Sequence, residues 1–175
     1  MNLRNQGRGV FIRLETLFFR FWFKVVAPRR GIFADASEEL RSEIFNAQFP
    51  FLVSQTWEEL CLGYVSKARN LGRFHGWMPA RRYWKGKGAE WDIVSESIDK
   101  SDILLGEVKW GEKYITEIYL QRVLEELQSK GVPDIEMQKD ARIKYCIFVP
   151  ELPDNEIDLG ENVFLVDAEM VVNAM

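Results

Sequence analysis

Glu90-Trp91-Asp92-Ile93-Val94-Ser95-Glu96-Ser97 and Asp102-Ile103-Leu104-Leu105-Gly106-Glu107-Val108-Lys109-Trp110, separated by Ile98-Asp99-Lys100-Ser101, decide the fold. Both runs are bounded by turn chemistry and rich in the apolar residues of strands, so the spacing predicts an antiparallel hairpin turning at Asp99-Lys100. A two-residue and a four-residue loop centred there give one register, which sets Asp92 opposite Glu107. Side chains alternate along a strand and cross-strand partners share a face, so Asp92, Glu107 and Lys109 converge on one patch. Trp91, Ile93, Leu104, Val108 and Trp110 are expected on the opposite, packed face.

Two opposed carboxylates about 5 Å apart at Cβ repel each other unless a cation neutralises them. A hard divalent ion with oxygen ligands does so, which points to Mg²⁺ or Mn²⁺ on Asp92 and Glu107. A lysine beside such an ion positions the attacking water or stabilises developing negative charge, while the metal lowers the water pKa. These residues suit phosphodiester hydrolysis. The competing account is plain: the same register puts Lys109 opposite Glu90, and an exposed strand pair of that kind is worth at most about 1 kcal/mol and implies no catalysis.

Outward from the hairpin, Trp57, Leu60, Cys61, Tyr64 and Val65 recur at helical spacing and predict an amphipathic helix from Ser54 to Ala68, with Pro50 separating it from a preceding helix that opens near Ser37. Glu58 falls on the border of its apolar stripe and Glu59 points away. Residues 70–88 are expected to form a basic, aromatic loop carrying Arg73, Arg81, Arg82, Tyr83, Trp84, Lys85 and Lys87. Downstream come a helix over Tyr114–Lys130 closed by Gly131 and Pro133, strands over Ile143–Val149 and Val163–Val166, and a short helix over Ala168–Asn173. That order predicts an α/β sandwich with a mixed central β-sheet flanked by helices.

With 175 residues and 47% hydrophobic composition the chain can bury a core and forms about one domain. Its net charge of −4 is unlike that of a dedicated nucleic-acid clamp. Residues 1–88 nevertheless hold 15 basic against 7 acidic side chains, so this half can meet phosphate. Arg81, Arg82, Lys85 and Lys87 are the candidates, with Tyr83 or Trp84 stacking on bases; a solvated loop is the alternative. One histidine, His75, excludes HExxH and other His-rich metal sites, and two cysteines, Cys61 and Cys146, give no disulfide framework. The aromatic run Leu17-Phe18-Phe19-Arg20-Phe21-Trp22-Phe23-Lys24-Val25-Val26 is interrupted by charge and shorter than the roughly 20 residues needed to span a bilayer, so a cytoplasmic protein is expected. Pro28 is expected to stop that segment.

The run Glu90-Trp91-Asp92-Ile93-Val94 ahead of Gly106-Glu107-Val108-Lys109-Trp110 resembles the PD-(D/E)xK nuclease signature, an Asp on one strand followed by ExK on the next. It is most similar to the C-terminal domains, of unassigned function, of archaeal-type AAA+ ATPases. There the motif reads EIDIV then GECKW, and an aromatic stretch like Phe18-Phe19-Arg20-Phe21-Trp22-Phe23 precedes a Pro and basic residues. Trp57-Glu58 stands where that family has Phe-Glu. The resemblance covers about Leu14 to Val166 and implies a restriction-endonuclease-like core over residues 36–175 with an aromatic extension over residues 1–35. It implies Asp92 and Glu107 as Mg²⁺ or Mn²⁺ ligands, Lys109 serving the water, Glu58 as an auxiliary acid and Glu90 as a supporting partner, acting on DNA. It also implies an AAA+ ATPase domain or partner chain docking through Phe18–Phe23, although this sequence carries no GxxxxGK[ST] loop. A homo-oligomer and a non-catalytic interaction domain are the alternatives.

Overall fold

The computed structural model describes residues 17–67, 76–84, 88–111 and 114–174. The chain divides into two compact units, Met1–Leu52 and Val53–Met175.

In the first unit helical turns follow one another from Leu17 to Asp35, with Arg29 (φ −121°, ψ 19°) outside helical geometry: α1 (Leu17–Phe21), a π-helical turn (Trp22–Val26), a 3₁₀ turn (Ala27–Arg29) and α2 (Arg30–Asp35). Pro28 does not stop the segment, as the sequence suggested. It sits in the first positions of the 3₁₀ turn, which takes over directly from the π turn. The Arg29 guanidinium donates to the carbonyls of Lys24 and Val25, both at 3.3 Å, and so satisfies the end of the π turn. Helix α3 (Glu38–Lys67) begins in this unit, with the Ser37 hydroxyl accepting from the Leu40 amide at its start, and its residues from Val53 onward belong to the second. Pro50 lies inside α3 and not between two helices; it removes one ladder bond, which the rest of a 30-residue helix outweighs.

The second unit is built on a five-stranded mixed sheet in the order β1 (Arg81–Trp84), β2 (Glu90–Glu96), β3 (Asp102–Val108), β4 (Arg142–Phe148), β5 (Val163–Val166). The β1–β2 and β2–β3 pairs are antiparallel; β3–β4 and β4–β5 are parallel. Helix α4 (Glu117–Ser129), capped by the Thr116 hydroxyl accepting from the Tyr119 amide at 3.2 Å, provides the crossover that a parallel β3–β4 pair requires. Helix α5 (Ala168–Asn173) closes the chain, its Asp167 cap accepting from Met170 at 2.8 Å. The α/β mixed sheet expected from the sequence is therefore present. Arg81–Trp84, expected in a loop, instead forms the edge strand β1.

Strand alternation divides the core. One sheet face, with Ile93, Leu104, Val108, Cys146, Phe148 and Val166, packs on Trp57, Cys61 and Val65 of α3 and Val171 of α5. The other face, with Ile103, Leu105 and Ile147, is covered by Leu120, Val123, Leu124 and Leu127 of α4. β3 is buried along most of its length, whereas β4 is buried only over Cys146-Ile147-Phe148, with Arg142 exposed at its start. Gly106 has a packing reason: a Cβ there would run into Cys146 Sγ and lie 2.9 Å from Ile93 Cβ. Among the described residues no helix is long and apolar enough to cross a membrane.

Candidate active site

The hairpin register is the one the turn predicts: Ile93 pairs with Gly106, Val94 with Leu105, Ser95 with Leu104 and Glu96 with Ile103. Its loop is organised by Asp99, whose Oδ1 accepts from the Ser97 hydroxyl at 2.7 Å and from the Ser101 amide and hydroxyl at 3.1 and 2.9 Å. These bonds hold the Asp99 carboxyl down at about 2. The ladder stops at Ile93–Gly106, one pair before Asp92 and Glu107.

What happens there aims the acid. The Ser97 amide donates to the Asp102 carbonyl at 2.9 Å, which by the period of two makes Trp91–Val108 the next position that a continued ladder would bond. Instead the Val108 amide donates to Asp92 Oδ2 at 3.0 Å. On the other side of β2, the pairs Arg81–Val94 and Tyr83–Trp91 advance two residues along β1 for three along β2. This is a bulge that sets Asp92-Ile93 against Arg82 alone. The bulge also corrects one expectation. Trp91 does not join Ile93, Leu104 and Val108; it packs with Val94, Ile103 and Leu105 on the α4 side, 5.8 Å from the Tyr83 ring. Trp110 lies beyond the end of β3, exposed, with its ring 6.1 Å from Trp57.

Glu107, little exposed, has both oxygens engaged by ammonium groups. Lys109 Nζ donates to Oε1 at 2.9 Å, and Lys130 Nζ, from the C-terminal cap of α4, donates to Oε2 and also to the Glu90 carbonyl at 2.9 Å. The Lys109 backbone is fixed on both sides: its amide donates to the Phe148 carbonyl at 2.9 Å and its carbonyl accepts from Trp57 Nε1 at 3.0 Å. Burial pulls the Lys109 ammonium down, but the hydrogen bond and charge of Glu107 outweigh it and leave its pKa above the usual lysine value. Lys109 is thus a firmly charged donor here. The Lys109–Glu90 pair that the sequence offered as a plain alternative is not made.

Asp92 behaves in the opposite sense. Burial raises its pKa above the ordinary carboxylate value and the Glu107 charge adds to that, against the lowering effect of the Val108 amide, Arg82 and Lys130. Burial likewise pushes up the thiols of Cys61 and Cys146, with the Asp92 charge contributing to both, so neither is a nucleophile near neutral pH. Glu58, on α3, is bonded to Arg82 of β1, whose Nε also lies 3.4 Å from Glu90 Oε1. Arg82 therefore ties three elements of the site together and is engaged by acids in this state. Arg81 and Trp84 are exposed along β1 beside a cleft of about 480 Å³ lined also by Asp134, Ile135 and Glu136. Lys85 and Lys87, like Arg73 and His75, lie outside the described residues.

Lys130 is the member of this cluster that sequence reading missed. It ends a helix 23 positions downstream of Glu107 and reaches the site only because α4 returns antiparallel to β3. The one local signal was a lysine at a helix C-terminus, a common dipole-compensating residue.

A family model described as archaeal and bacterial proteins of unknown function matches residues 22–132. The chain belongs to this family, DUF234. The DUF234 match includes Glu58, Arg82, Asp92, Glu107, Lys109 and Lys130 and ends before β4. No curated protein sequence and no solved structure matches the chain.

The carboxylates fit a hard divalent cation in donor chemistry: oxygen ligands, one of them desolvated and repelled by its neighbour. Among the described residues no group of three or more His, Cys, Asp or Glu side chains converges on one point. Asp92 and Glu107 are the two carboxylates that would hold such an ion.

Proposed function

We propose that this chain is a metal-dependent nuclease-like module that hydrolyses phosphodiester bonds in DNA, with Asp92 and Glu107 as ligands of Mg²⁺ or Mn²⁺. The observation that carries the reading is the parting of β2 and β3 at Asp92, which leaves two carboxylates and Lys109 at the open end of the hairpin. The antiparallel three-strand unit followed by α4 and the parallel strand β4 is the arrangement expected of a restriction-endonuclease-like core. The ion would lower the pKa of a bound water and stabilise charge on the phosphate. Lys109, charged and held by Glu107, orients that water or stabilises the developing negative charge. Glu58 acts through Arg82, placing its guanidinium beside Asp92. Arg81 and Trp84 on the adjoining edge strand supply a phosphate contact and a base-stacking surface.

The test is cleavage of single- and double-stranded DNA, with RNA in parallel, in Mg²⁺ or Mn²⁺. Wild type is expected to cut DNA and Asp92→Asn and Glu107→Gln to lose at least about 100-fold of that activity. Metal-dependent cleavage that survives in Asp92→Asn overturns the assignment.

A second reading, a non-catalytic docking domain, draws on the first unit. Phe18, Phe19, Trp22 and Phe23 are all exposed, as are Phe45, Phe49 and Phe51. Contiguous exposed aromatic groups of this kind mark interaction surfaces. The resemblance to ATPase-linked domains makes an AAA+ ATPase domain or partner chain the occupant of Phe18–Phe23, with a second copy of this chain as the alternative. Loss of partner binding in Phe18→Ser/Trp22→Ser, with Asp92→Asn silent, distinguishes this reading from the first.

A further inference from the structure

In the described state both oxygens of Glu107 are occupied, Oε1 by Lys109 and Oε2 by Lys130. A cation ligated by Glu107 needs at least one of them free of an ammonium group. The two lysines are not equally able to leave. Lys109 is two residues from Glu107 on the same strand run, and its amide and carbonyl are bonded to Phe148 and Trp57. Lys130 instead reaches in from the end of α4. Its own backbone amide bonds only locally, to Leu127 at 3.3 Å, and Gly131 with φ 71° follows it. If the side chain swings off Glu107 it still has the Glu90 carbonyl, 2.9 Å away, and the negative end of the α4 dipole to hold its charge.

We infer that Lys130 is a resident competitor for the cation position on Glu107, displaced when a divalent metal binds, so that metal loading and release of the α4 terminus from the site are one linked event. This rests on the metal reading of the site. The consequence is a regulated affinity: Lys130 satisfies Glu107 in the metal-free protein and weakens metal binding by the cost of its own displacement. Anything that draws the Lys130 ammonium away, such as a phosphate group approaching the open end of the hairpin, favours metal binding.

Calorimetric titration of Mn²⁺ into the full chain tests this, comparing wild type with Lys130→Gln, Lys130→Arg and the control Arg122→Gln, which removes a charge from the exposed side of α4. Lys130→Gln is expected to bind Mn²⁺ about tenfold more tightly, with Lys130→Arg and Arg122→Gln within about twofold of wild type. Thermal unfolding without metal confirms that each variant is folded. Unchanged or weaker binding in Lys130→Gln overturns the inference while wild-type binding keeps Asp92 and Glu107 as the site. An equal gain in Arg122→Gln also overturns it, since net charge would then suffice. Absence of Mn²⁺ binding in wild type and Lys130→Gln alike overturns both this inference and the metal reading.

Discussion

The carboxylate of Asp92 takes the Val108 amide, at 3.0 Å, at the position where the β2–β3 ladder would have used the Trp91 carbonyl. A side chain thereby replaces a backbone acceptor, and the strands part without leaving a buried donor unpaired.

The consequence for stability separates two substitutions. Asp92→Asn keeps an oxygen for Val108 and removes a desolvated charge beside Glu107, so it is expected to raise the melting temperature at neutral pH. Asp92→Ala orphans the Val108 amide, a loss of about 1–3 kcal/mol. Circular-dichroism melts of the two variants check this; a destabilised Asp92→Asn would contradict it.

The same residue fixes a pH signature. Its folded pKa lies above the ordinary 3.8, so the native state binds more protons than the unfolded chain between 3.8 and the folded value. Asp92 therefore disfavours folding progressively as pH rises through that window and by a constant amount above it. The stability gain of Asp92→Asn over wild type should vanish below 3.8 and reach a plateau above the folded pKa. Urea denaturation across that range reads the difference directly.

Gly106 is closed to any side chain by Cys146 and Ile93. Gly106→Ala is expected to cost about 1–3 kcal/mol from overpacking. Adding Cys146→Ala should recover part of the loss by removing Sγ, leaving the Ile93 contact. Equal stability of Gly106→Ala and wild type in denaturant melts would refute this packing.

Trp91 Nε1 is buried without a hydrogen-bond partner among the described residues. Trp91→Phe keeps most of the ring packing against Tyr83 and deletes an unsatisfied donor, so its stability should stay within about 1 kcal/mol of wild type, whereas Trp91→Ala should lose about 3–5 kcal/mol. Comparison of denaturation midpoints decides it.

Trp57 shows the opposite case, because its Nε1 holds the Lys109 carbonyl at 3.0 Å. Trp57→Phe should lower stability by about 1 kcal/mol. Under the proposed chemistry it should also reduce cleavage more than metal affinity, since Lys109 shifts while Asp92 and Glu107 stay. A cleavage assay run beside a Mn²⁺ titration separates the two effects.

Local physics in the sequence determined the elements around the site. Turn residues at Asp99-Lys100 set the hairpin register, periodicity placed Trp57, Cys61 and Val65 on the core face of α3, and the short apolar run Ile143–Val149 marked β4 as an interior strand. Each of these rests on neighbours within a few residues, which is why it is legible in one dimension. Tertiary structure decided the rest. The bulge that turns Trp91 away from Ile93 exists only against β1, which the sequence disguises as a basic loop. The proline at position 50 reads as a break, yet it lies inside a helix whose other ladder bonds outweigh the one it removes. Lys130 reaches Glu107 because a crossover helix returns along the sheet, and no spacing rule carries a contact 23 residues long. The pairing of Arg82 with Glu58 and Glu90 likewise depends on three elements meeting in space, where charge complementarity, invisible in composition, selects the partner.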